Sequence, residues 1–131
     1  MLVDKEFKEI ERIHCGYDGS SYANKALQLS AYIASTIKLN LQIIGISTSE
    51  EERKQMLTEA DRYLNPYEIE YNLRHEIGDP SETLVNVQNN APVPSLMVIG
   101  SYGHTRLREA IIGSTTVEVM RKAQKPILLA K

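Results

Sequence analysis

A single cysteine, Cys15, is all the thiol chemistry this chain carries, which excludes an internal disulfide framework and a cysteine-based zinc site. No apolar run approaches the roughly 20 residues that a membrane span needs. Residues 1–11 mix charge with scattered apolar side chains and lack the apolar core of a signal peptide. With 15 Lys and Arg against 17 Asp and Glu the formal net charge is −2, so the polybasic surface of a nucleic-acid binder is missing as well. These absences predict a protein of a reducing cytoplasm, with no nucleic acid or membrane as its partner.

What is present suits an ordinary globular domain: 42% hydrophobic and 24% charged residues in 131. That length fits one compact domain over 1–131, with 1–9 as an extension ahead of the first strand. Ile10, Ile13, Cys15 and Tyr17 mark a strand over 10–17 that runs into the turn Asp18-Gly19-Ser20-Ser21. Ala23, Ala26, Leu27, Ser30, Ala34 and Ile37 then recur at helical spacing. Residues 39–46 read as a buried strand on the strength of Ile43, Ile44 and Ile46.

Ser49 and Glu52 have capping-box spacing, and Met56, Leu57, Ala60 and Leu64 form the stripe of a second helix that ends before Asn65-Pro66. Apolar and polar residues alternate from Tyr67 to Ile77, which predicts a strand with one wet face, at a sheet edge. Asp79-Pro80-Ser81-Glu82 opens a short third helix carrying Leu84 and Val87. The apolar run 96–99 predicts a central parallel strand ended by Gly100. A last helix over 114–123, with Val117, Met120 and Ala123 inward, leads to an edge strand over 126–130. Alternation of strands and helices implies a parallel, doubly wound sheet with right-handed crossovers.

One connection is long, 100–113, and connections of that length in compact domains are usually functional. It carries Gly100, Ser101, Tyr102, Gly103, His104, Thr105 and Arg106, and closes on Gly113, Ser114 and Thr115. Glycines at a strand end let a ligand approach without a Cβ in the way, and successive amides there can form an anion nest. Gly113-Ser114-Thr115 opens a helix whose free N–H groups and positive dipole end favour phosphate. Arg106 and Arg108 add positive charge between the two glycine groups. The loop lacks the Gly-Lys-Ser/Thr ending of a P-loop, and no Ser/His/Asp arrangement suggests a hydrolase nucleophile.

The spacing Gly-x2-Gly-x9-Gly-Ser, here Gly100, Gly103, Gly113 and Ser114, resembles the nucleotide-binding signature of universal stress proteins. The resemblance extends to Ile13-His14-Cys15-Gly16-Tyr17-Asp18-Gly19-Ser20, to Gly78-Asp79-Pro80 and to Lys125-Pro126-Ile127-Leu128-Leu129. It implies a three-layer, five-stranded parallel sheet in the order 3-2-1-4-5 with about four helices. It also implies ATP, ADP or AMP as ligand, with Mg or Mn as a candidate companion of the phosphates. Gly16, Tyr17 and Asp18 would border the nucleoside and the backbone of Ile46 the adenine edge. Gly100 to Arg106 and Gly113 to Thr115 would wrap ribose and phosphates.

For single residues the readings divide. Asp18 is either a nucleoside or metal contact or a carboxylate capping the first helix. Ser114 donates to phosphate or caps its own helix. His104 is a polar ligand contact or an exposed loop residue. No residue is assigned a catalytic role, and none a metal. The expected function is a regulatory or stress-response protein that binds adenine nucleotide with little or slow hydrolysis. Its rivals are an enzyme that hydrolyses ATP or transfers its phosphate, and a ligand-free dimeric interaction module. Family dimers pair their last strands, so the resemblance implies a homodimer through residues 126–130. The stretch ahead of Ile10 raises the further expectation that the chain is related to one half of a tandem protein.

Overall fold

A computed structural model of the chain describes residues 9–100 and 114–131. Its strands are β1 (Arg12–Gly16), β2 (Asn40–Ile46), β3 (Tyr71–Glu76), β4 (Ser95–Gly100) and β5 (Ile127–Ala130). Between them run helices α1 (Ser21–Ile37), α2 (Glu50–Leu64), α3 (Pro80–Asn89) and α4 (Ser114–Lys122). The strands form one five-stranded sheet in the order β3-β2-β1-β4-β5, parallel throughout. The order reverses between β1 and β4, the place where open sheets of this kind take ligands.

Side chains two apart on a strand share a face, and the two faces are covered by different helices. Ile13, Cys15, Leu41, Ile43 and Val98 pack with Ala26, Leu27 and Ala34 of α1 and with Met56, Leu57 and Ala60 of α2. Ile44, Met97, Ile99 and Ile127 pack with Leu84, Val85 and Val87 of α3 and Val119 of α4. Small residues along α1 let that helix lie close against the sheet. Cys15 is wholly buried, and burial pushes its thiol up to about 12, so it is an inert member of the core.

The helix ends follow their local chemistry. Ser20 caps α1 by accepting from the Ala23 amide, and Lys38 closes it in the left-handed conformation at φ 60. Asp79 caps α3 through the Glu82 amide, with Pro80 in the first turn. Ser49 caps α2 through the Glu52 amide, but the Glu52 carboxylate accepts from the Ser47 hydroxyl instead of reaching back to Ser49. Ser47 Oγ in turn accepts from the Ser49 amide at 3.1 Å, so a serine relay replaces the second half of the capping box.

Three expectations change. The edge strand β3 starts at Tyr71, because Tyr67 lies in the turn after α2, where its amide donates to the Leu64 carbonyl. Ile37 points to solvent at the end of α1. The inward face of α4 is Thr116 and Val119, continued by Ala123 just past its end, while Val117 and Met120 stand 40% and 50% exposed. Thr116 turns inward because its hydroxyl has a backbone partner there, and that rotates the helix away from the Val117–Met120 stripe.

Candidate functional site

The candidate site is the mouth at the carboxyl ends of β1 and β4. Register pairs Cys15 with Val98, which brings Gly16 and Gly100 to neighbouring strand ends. Beyond Gly16 the chain continues a short way along β2, since the Tyr17 amide donates to the Ile44 carbonyl at 3.0 Å. Ile46, two residues further along β2, presents its backbone on that same side, past the end of β1. The expected base-edge position thus lies beside an unextended neighbour strand.

Tyr17 is buried, and its hydroxyl donates to Asn24 Oδ1 at 2.8 Å. Burial raises its pKa, and Glu59, Cys15 and Asp18 push in the same direction. Tyr17 is therefore a core side chain fixed to α1. Asp18 is exposed, and its Oδ1 accepts from the Ser20 amide at 2.9 Å. Of the two readings for Asp18, the structure supplies a turn contact, while the cap of α1 belongs to Ser20. Gly19 follows at φ 84, a conformation that favours glycine.

Gly100 is glycine for a reason other than φ. A Cβ there would stand 2.7 Å from the carbonyl oxygen of Tyr22, in the first turn of α1. Gly16 is similarly enclosed, with a Cβ meeting Leu84 at 3.2 Å and Ile99 at 3.3 Å. Both strand ends are thus stripped of side chains, and α1 starts hard against β4.

A residue outside the expected set joins the two halves of the mouth. Thr116, buried in the first turn of α4, donates its hydroxyl to the Gly100 carbonyl at 2.7 Å. That bond seats the amino end of α4 at the carboxyl end of β4, on either side of segment 101–113. Thr115 is exposed beside it, and Ser114 is the first residue of the helix. A Thr-Thr pair following Gly-Ser was the available sign, read only as far as Thr115. Ser101, Tyr102, Gly103, His104, Thr105, Arg106 and Gly113 lie outside the described residues, as does Arg108.

On the β2 side, Arg53 of α2 was also missed. It is buried, donates from Nη1 to the Ser47 carbonyl, and has no partner for Nε among the described residues. It braces the turn that follows Ile46. Among the described residues there is no group of three His, Cys, Asp or Glu that could hold a metal, and no helix is long and apolar enough to cross a membrane.

An all-parallel sheet in this order, with its mouth at the reversal point, defines a doubly wound, Rossmann-like α/β domain. The family model described as "Universal stress protein family" matches residues 38–131. The chain belongs to the universal stress protein family. It is similar to the universal stress protein Slr1230 of Synechocystis sp., 28% identical over 130 residues, covering 98% of this chain and 45% of that protein. The chain spans about half or less of the length of the curated relatives it matches.

Solved structures share the fold. A universal stress protein in complex with cAMP superposes with a TM-score of 0.79 at 21% identity, covering 94% of this chain and 98% of that one. The universal stress protein of Archaeoglobus fulgidus in complex with dAMP gives 0.74 at 19% identity, covering 95% of this chain and 100% of that one.

Proposed function

We propose that this chain binds an adenine nucleotide at the β1–β4 mouth and acts as a cytoplasmic, nucleotide-dependent regulator in a stress response. The observation that carries this reading is the Thr116–Gly100 bond, which sets a helix amino end beside a strand end that has no room for a side chain. A helix start supplies free amides and a positive dipole to phosphate. The glycine spacing Gly100, Gly103, Gly113, Ser114 supplies the rest of the anion cradle. Two proteins of the same fold are complexes with adenine nucleotides, cAMP and dAMP, which supports the same class of ligand here.

In this reading the ligand is ATP, or ADP or AMP in its place, with Mg or Mn as a candidate companion of the phosphates. Gly16, Tyr17 and Asp18 line the nucleoside side, and the backbone of Ile46 meets the adenine edge. Residues 100–106 and 113–115 surround ribose and phosphates. No residue of the site is assigned the role of general base, and turnover in this reading is slow, well under ~1 s⁻¹. The chain is one nucleotide-binding domain over 1–131, and two copies pair through β5.

Calorimetric titration with AMP, ADP and ATP, each with and without Mg, tests the ligand. The expected result is saturable binding of adenine nucleotide, with the three titrations ranking ATP, ADP and AMP, and steady-state phosphate release below that rate. Absence of binding by all three nucleotides would sink the reading, and rapid turnover would replace it with an enzyme.

A further inference from the structure

A second cavity, of about 310 Å³, lies between α3 and the sheet face formed by β1 and β3. It extends from Arg12, the first residue of β1, to Glu76 and Ile77 at the carboxyl end of β3. Its size is at the lower end of the range for small-molecule sites. The walls are mixed, and their polar groups include Arg12, Arg74 and Glu76 from the strands, Asn86 and Asn90 from α3, and His14 beneath them.

Two features of this cleft call for a ligand. The first is charge. Arg74 Nε donates to Glu76 Oε2 at 2.6 Å, so that pair is internally neutral. Arg12, half-buried, has no ion-pair partner among the described residues and leaves the cleft with one uncompensated positive charge. One cation set beside a carboxylate selects a monoanion over a dianion.

The second is His14, fully buried on the central strand. Register sets His14 opposite Gln42 and Gln42 opposite Asn72, and hydrogen bonds run along that row. Gln42 Nε2 donates to Asn72 Oδ1 at 3.1 Å, which leaves Gln42 Oε1 to accept from His14 Nδ1 at 3.0 Å. Nδ1 therefore carries the proton and Nε2 is a bare acceptor, without a partner among the described residues. A buried acceptor left unpaired is costly. Burial, with Arg12 and Arg74 adding to it, holds His14 at a pKa of about 4, so the ring stays neutral and keeps that lone pair near pH 7. Nε2 has no exposed surface, so a donor reaches it only as the cleft wall parts.

We infer that this cleft is a second binding site, for a small hydroxylated carboxylate. Arg12 holds the carboxylate, and the ligand's hydroxyl donates to His14 Nε2. Gln42 is a positioning residue that fixes which imidazole nitrogen is bare. The inference does not rest on the nucleotide reading, and Arg12 lies at the end of the cleft opposite to Glu76, the neighbour of Ile46.

The test uses the full chain, with glycerate as the probe and propionate and inorganic phosphate as comparators, reading affinity together with the NMR signal of His14 Nε2. Glycerate is expected to bind about tenfold or more tighter than either comparator and to move that signal to the position of a hydrogen-bonded nitrogen. Arg12→Gln is expected to weaken glycerate about tenfold or more while leaving adenine-nucleotide titrations unchanged. His14→Phe is expected to remove the preference for glycerate over propionate. If His14→Phe does not fold, the wild-type signal alone decides the role of that nitrogen. Equal binding of propionate, tighter binding of phosphate, an unmoved Nε2 signal, or no binding of any probe at ~10 mM each overturns the inference.

Discussion

At Gly100 the nearest obstacle to a Cβ is the Tyr22 carbonyl, and backbone cannot swing aside as the end of a flexible side chain can. Gly100→Ala should therefore push α1 away from β4 and cost about 1–3 kcal/mol of stability. Urea unfolding checks this, and a midpoint equal to wild type would show that the approach is not tight. His14 makes a different kind of prediction, about pH. Its pKa is lowered from 6.5 to about 4 in the folded chain, chiefly by burial. Between those values the unfolded state binds more protons, so stability is fully present above pH 6.5 and falls as the pH drops towards 4. The loss should be on the order of 2–3 kcal/mol, and His14→Gln should flatten that part of the profile. Unfolding curves at several pH values measure both effects. Neither environment is visible in one dimension. The sequence marked Gly100 for its place after a strand, but the closeness of Tyr22 comes from packing. The row Asn72–Gln42–His14 exists only once register is known.

At the level of elements, the join between β4 and α4 depends on one side chain. Thr116→Val keeps the shape and removes the hydroxyl, which leaves the Gly100 carbonyl without that donor. The expected cost is about 1–2 kcal/mol, with a weaker response to nucleotide if the mouth works as proposed. Comparing unfolding midpoints and calorimetric titrations of the two proteins separates these effects. Much of the element order was legible, because each strand and helix has its own period and its own start signal. The Asp79-Pro80 opening of α3 and the alternation that marks β3 as an edge are clear cases. Helix α4 was not legible in its orientation. Val117, Met120 and Ala123 offer an apolar stripe, but Thr116, Val119 and Ala123 give the one that packs, and its first member is polar. A hydroxyl that satisfies a carbonyl outweighed the apolar choice. The glycine signature is legible as a motif, yet most of it lies outside the described residues, so the part seen in space is the frame around it.

For the whole molecule, the two sheet edges differ. β3 carries Asn72, Arg74 and Glu76, charged and polar groups that discourage another strand from adding there. β5 is Ile-Leu-Leu-Ala, with Leu128 and Leu129 only partly buried. Val117 and Met120 of α4 add exposed apolar surface. This asymmetry supports pairing of two copies through β5. Met120→Glu together with Val117→Glu should then shift the chain from dimer to monomer in sedimentation equilibrium, with its helix content unchanged. A wild-type chain already monomeric at micromolar concentration would end that proposal.

The fastening of α4 to β4 also bears on how the chain can be altered. Because one threonine hydroxyl clamps the flanks of segment 101–113 from outside it, the rigid scaffold does not depend on how many residues lie between them. Closing a stretch twice as long costs only about 0.6 kcal/mol more. Evolution or an engineer can thus rewrite that span, in length as well as letters, while the layers beneath stay assembled.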